Sequence, residues 1–120
     1  MSSRRERYYE MNFPKHKTKR DPKLIIKLKA EMDCCEICGS PFNLEAAHII
    51  AKGFGGGKGP DMRENITVIC GPASMGKGCH GAQHRGELSV EALWQAAARR
   101  ERITVEECKL RVRRAMGYNV

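Results

Sequence analysis

Residues Gly78 to Gly86 read GCHGAQHRG, which sets Cys79 beside His80 and places a second histidine, His84, one helical turn further on. Three potential metal ligands within six residues serve either one ion or two. Histidines spaced i, i+4 share one face of a helix, the arrangement that presents two nitrogens to one ion; for an isolated pair, one exposed and one packed imidazole is the commoner outcome. Tetrahedral zinc needs four soft or borderline ligands, and cysteine knuckles supply them in pairs. Cys35 and Cys38 form a C-x-x-C knuckle turned by Gly39 and Pro41, whereas Cys34 lacks that spacing to Cys38. Cys70 and Cys79 make the second pair across a longer loop, whose Gly71, Gly76 and Gly78 let it fold back. Buried free cysteines would account for any one of these positions but poorly for four, so a structural Zn2+ on Cys35, Cys38, Cys70 and Cys79 is expected. Cys34 and Cys108 read as ordinary apolar positions. With Cys79 given to zinc, His80 and His84 are left for other work.

The elements that must position these ligands are short. Asp21-Pro22 is a helix start, with Asp as N-cap and Pro at the first helical position, and KLIIKLKAEM continues it with apolar residues at Leu24, Ile25, Leu28 and Met32. NLEAAHIIAKG reads as a short strand that the glycine-rich GFGGGKGPDM cannot prolong. ENITVIC, a β-branched run ending on Cys70, is expected to pair with it, and a helix is expected from about His80. Ser89 caps a helix through VEALWQAAARRE, and Thr104 with Glu107 forms the capping box that opens VEECKLRVRRAM, stopped by Gly117. Both C-terminal helices should pack on an apolar face and carry basic outer faces. Residues 1–22 read as a basic arm, 23–88 as a zinc-stapled core and 89–120 as a helical extension of the same single domain.

Size and charge set the frame for that core. At 120 residues, with 41% hydrophobic and only 6% aromatic residues, the chain suits one modest domain that a metal staple would reinforce. The formal charge of +8 gathers at the ends, in RRER and KHKTKR before Lys23 and in ARRER and KLRVRR after Ala98. Such clusters bind phosphates by releasing condensed counterions, which favours a nucleic-acid partner over the alternative of solvated helix faces. No apolar signal stretch follows the basic N-terminus and no run is long enough to cross a bilayer, so the expectation is a cytoplasmic protein with no membrane partner, whose cysteines hold metal rather than one another.

Taken in order, AAHIIAKGFGG, ENITVIC and GCHGAQH resemble the HNH endonuclease family, whose members are often encoded by bacteriophages. The resemblance runs from Cys35 to about Gly86, close to half the chain, and leaves both ends uncovered. It implies an α+β fold with a ββα-metal (His-Me finger) core, here with the four-cysteine zinc site, flanked by N- and C-terminal helices. His48 matches the family's first-strand histidine, the general base that takes a proton from the attacking water. Asn65 matches the asparagine whose amide holds the loop carrying that base. His80 matches the final histidine, a ligand of the catalytic divalent ion, for which Mg2+, Mn2+, Ni2+ or Zn2+ are candidates, with imidazole leaning toward the transition ions. The chain departs from the family at Ala47, where many members carry Asp or His as a second ligand. His84 is the candidate replacement, since colicin-type relatives recruit a histidine one turn after the last motif histidine. Glu45 is the fallback, placed by strand alternation on the side of Ala47, away from His48.

The implied function is a metal-dependent DNA endonuclease that nicks double-stranded DNA by phosphodiester hydrolysis, with catalytic residues His48, Asn65 and His80. Cys79 would then belong to a closed zinc site, and His80 and His84 to an open catalytic one. Lys52, Lys58, Arg63 and Arg85 are candidate phosphate contacts. Two competitors remain: a non-catalytic zinc-ribbon DNA-binding module, and an accessory subunit of a phage packaging terminase, whose acidic surface the basic ends would meet. Nothing in the sequence predicts an oligomeric state.

Overall fold

The first helix begins where Asp21 and Pro22 direct it. In the computed structural model, which describes residues 19–51 and 59–118, helix α1 spans Pro22–Glu31, and the Asp21 carboxylate accepts the Leu24 N–H at 3.2 Å. Its apolar side turns Leu28 onto Ile66 and Val68. Past the Cys35 knuckle, strand β1 (Leu44–His48) lies antiparallel to β2 (Ile66–Cys70), in a register that sets Leu44 opposite Cys70 and His48 opposite Ile66.

All five residues of β2 are buried because both faces of the strand are covered. Alternation sends Ile66 and Val68 to the α1 side, while Thr67 and Ile69 face the C-terminal helices. Those helices are α3 (Val90–Glu101) and α4 (Val105–Ala115); between β2 and α3 lies the two-turn helix α2, Gly78–His84. Leu93, Trp94 and Ala97 of α3 and Cys108 and Val112 of α4 close the main core over Ala47 and Ile69. Each large aliphatic side chain buried there contributes roughly 1.5–3 kcal/mol. Ser89 and Thr104 cap the two helices by accepting the N–H groups of Ala92 and Glu107, and Gly117, at φ +93°, follows the end of α4.

An ion-pair network seals the edge between β2 and α3. Arg100, only 9% exposed, meets Glu36 and Glu101 and donates to the carbonyls of Arg63 at 2.6 Å and Ile66 at 2.9 Å. Glu36 in turn accepts the Val68 N–H at 2.9 Å, so one carboxylate ties the cysteine knuckle to the sheet. Among the described residues the architecture is a small α+β fold of four helices and one two-stranded antiparallel sheet. No helix among them is long and apolar enough to cross a membrane.

Several expectations need correction. The first strand stops at His48, because Asn65 takes over the backbone of Ile50, and Glu64 and Asn65 lie in a 3-10 turn (Arg63–Asn65) rather than in β2. Helix α2 starts at Gly78, before His80. The C-terminal faces are not uniformly basic, since Arg100 turns inward to buried carboxylates. Cys34 is exposed, while Cys108 is buried with its thiol on the Glu64 carbonyl at 3.2 Å. Of the expected arm, residues 1–18 lie outside the described residues, but Lys19, Arg20 and Asp21 are bound to Asp61.

Candidate metal centre and histidine cleft

The knuckle, the end of β2 and the start of α2 converge on one corner. Gly78 makes this possible: its φ is +68°, and a Cβ there would come within 2.5 Å of the Cys70 carbonyl oxygen, so only glycine lets the loop fold back so closely. The Sγ atoms of Cys35, Cys38, Cys70 and Cys79 all lie within 4.8 Å of one another, with Cys38 and Cys70 at 3.5 Å. Tetrahedral zinc with Zn–S bonds near 2.3 Å needs sulfur separations of ~3.8 Å, so the donors fit a thiophilic ion. The four cysteines could hold a structural metal such as zinc, and they are the only such group of three or more metal donors among the described residues.

The electrostatics of the corner favour the same conclusion. Burial raises the Cys35 thiol, but backbone N–H groups including those of Cys38 and Ile37 outweigh it and lower the pKa to about 7. Cys79 is pushed strongly up by burial and by the neighbouring sulfurs. At Cys70 the N–H of Cys79 pulls down, while burial and the thiols of Cys38 and Cys35 push up and prevail. Sulfurs this close cannot all ionise unless a cation shares them.

On the other side of β1 a cleft of about 840 Å³ opens, lined among others by Lys29, Ala46, His48, His80, Gln83 and His84. His48, at the end of β1, is 12% exposed and its Nε2 lies 2.7 Å from Asp61 Oδ1. Its backbone carbonyl accepts the Gln83 amide at 3.1 Å. Asn65 is fully buried: its Oδ1 accepts the Ile50 N–H at 2.8 Å, and its Nδ2 donates to the carbonyls of Ile50 at 3.1 Å and Pro60 at 3.0 Å. One amide thereby joins the two chain ends of the loop that follows His48. His80 and His84 stack edge-to-face on α2, ring centroids 4.7 Å apart.

Glu45 is engaged both by α2 and by the loop that follows β2. Its Oε1 reaches around to His80 Nδ1 at 2.9 Å and also accepts the Ala73 N–H at 2.9 Å. Gly71 leaves room for that bend, since a Cβ there would lie 2.0 Å from Glu45 Oε1. The Ala73 N–H, and then His80, outweigh burial and hold the Glu45 carboxyl below its ordinary range. Ala47 is 1% exposed and packs in the core, so its position offers nothing to the cleft.

The candidate phosphate contacts fare less well. Arg63 is bound to Glu31 at 2.8 Å and Glu101 at 2.9 Å, and these carboxylates raise its pKa further; its guanidinium is committed to the fold. Arg85 is likewise engaged, with Glu87 at 2.7 Å and the Gly76 carbonyl. Lys52 and Lys58 lie outside the described residues. Sequence reasoning missed Asp61, Gln83 and Arg100, for which no spacing rule gives a signal. No family model, curated protein or solved structure matches the chain.

Proposed function

We propose that the protein is a metal-dependent DNA endonuclease of the HNH type, in which β1, β2 and α2 form the ββα-metal core. The observation that carries this reading is the shared cleft: His48 and His80, 32 residues apart in sequence, line it from a strand end and a helix, each beside a carboxylate. His48 serves as the general base that removes a proton from the attacking water. Asn65 keeps that base in place through its three hydrogen bonds to the loop backbone. Because the ionised Glu45 accepts from His80 Nδ1–H, the lone pair of His80 is left on Nε2, suited to a divalent ion that His84 would help to hold. When bound, Mg2+ or a transition ion supplies charge for the pentacovalent phosphorus and for the departing 3′ oxygen. One active site per chain makes nicking the expected product, and the charge of +8 supports a duplex partner.

The test uses the zinc-loaded full chain and supercoiled plasmid with Mg2+, Mn2+ or Ni2+. The expected result is relaxed circles from the wild type, and a rate about 10²–10⁴-fold lower for His48→Ala, with zinc content and DNA binding retained. No cleavage under any of these ions would instead support a second reading, a non-catalytic zinc-ribbon DNA-binding module or a subunit that assists a packaging terminase. That reading is favoured by the burial of Ala47, which removes a ligand position from the cleft.

A further inference from the structure

The buried carboxylate of Asp61 stands behind the cleft, against His48, where no spacing in the sequence announces it. Its side chain is 2% exposed, and both oxygens are held: Oδ2 accepts the Asp21 N–H at 2.8 Å, and Oδ1 meets Arg20 Nη1 at 3.3 Å and His48 Nε2 at 2.7 Å. Arg20 is itself fixed by the Gly59 carbonyl at 2.7 Å. A neutral imidazole has one N–H and one lone pair, and an ionised carboxylate only accepts. Hydrogen-bonded to Asp61, His48 therefore carries its proton on Nε2 and its lone pair on Nδ1. Gln83, donating to the His48 carbonyl at 3.1 Å, holds the backbone of the same residue.

We infer that Asp61 is the positioning residue of His48, setting the tautomer that makes Nδ1 the basic atom, and that Arg20 and the Asp21 N–H hold Asp61 in turn. The role of His48 as a base rests on the endonuclease reading; the tautomer does not. The segment leading into α1 thus supports the site from behind, through Asp61. A cation beside the carboxylate offsets the cost of burying its charge, and a partner with both oxygens engaged has no freedom to rotate.

The test is Asp61→Asn in the zinc-loaded full chain. With the Asn oxygen accepting the Asp21 N–H, its NH2 takes the place of Oδ1, where it loses the bond to Arg20 and requires an acceptor on His48, so the proton moves to Nδ1. Long-range 1H–15N NMR at alkaline pH, where the ring is neutral, should report Nε2–H for His48 in the wild type and Nδ1–H in the variant. Plasmid nicking should fall in kcat by about 10²–10⁴-fold with little change in KM, as a wrong tautomer costs in serine hydrolases. Wild-type His48 in the Nδ1–H form would overturn the inference, and this readout stands even if the variant fails to fold. So would a folded variant with unchanged tautomer and rate. Absence of wild-type cleavage would sink the endonuclease reading alone, leaving the tautomer shift to decide the role of Asp61.

Discussion

Cys79 and His80 are neighbours on α2, yet they serve regions built on opposite principles. Successive helical positions differ by about 100°, enough to send one side chain into the thiol corner and the next into the cleft. In the corner four donors of the same kind crowd within 4.8 Å, and each ionised sulfur raises the cost of ionising the next. In the cleft each inner imidazole has its own carboxylate, Asp61 for His48 and Glu45 for His80, so its orientation is set before any ligand arrives. The corner is one that a bound ion would stabilise; the cleft is shaped by the chain and left open to solvent. Metal should accordingly govern folding in one region and chemistry in the other.

The largest effect expected from this contrast is on folding. Stripping the metal with a strong chelator, or replacing Cys70 by Ser, should abolish the cooperative thermal transition, because structural zinc contributes apparent binding energies of ~10–16 kcal/mol in small zinc domains. Calorimetry with metal analysis checks it, and a chelated protein that still melts sharply would remove the asymmetry between the two regions. A smaller loss should follow from Arg100→Ala, which strands the buried Glu36 carboxylate and removes one of the two arginines that hold Glu101: about 3–5 kcal/mol by denaturant unfolding at neutral pH. That penalty should shrink in acid. Burial raises Glu101, but its bonds to Arg63 and Arg100 prevail and hold it below its ordinary value of 4.5. A depressed folded pKa gives stability that is fully present above the unfolded value and lost as pH falls through the folded one. The gap between wild type and variant should therefore be full at pH 7 and narrow progressively below about pH 4.5.

The two regions were also unequally legible from sequence. The corner could be read because its ligands follow local rules: C-x-x-C in the knuckle, a β-branched strand ending on Cys70, and glycines that turn the next loop back. The helix caps at Asp21, Ser89 and Thr104 were legible for the same reason, since each acts on an N–H three residues ahead. What supports the cleft is set by contacts between distant segments. Asp61 reaches His48 across 13 residues, Glu45 reaches His80 across 35, and Arg100 reaches Glu36 across 64. A basic side chain in the sequence does not show that a carboxylate waits behind it, so Arg63 read as a candidate phosphate contact and Arg100 as part of a basic cluster.

The smallest effect on stability, and the sharpest test of the contrast, is His84→Ala. His84 is exposed on the last turn of α2, its ring edge against His80, and removing it should change folding free energy by no more than about 0.5 kcal/mol. If His80 and His84 together hold the catalytic ion, the divalent concentration for half-maximal nicking should rise by about tenfold or more, while zinc content stays unchanged. Titration calorimetry with Mn2+ on the zinc-loaded protein reads the same change without any cleavage assay. An unaltered metal titration would assign the ion to His80 and other groups, and His84 would then act only as the packing partner of its neighbour. A variant that loses zinc as well would show that cleft and corner share one ion, and that two adjacent ligands on a short helix had not been divided between two sites.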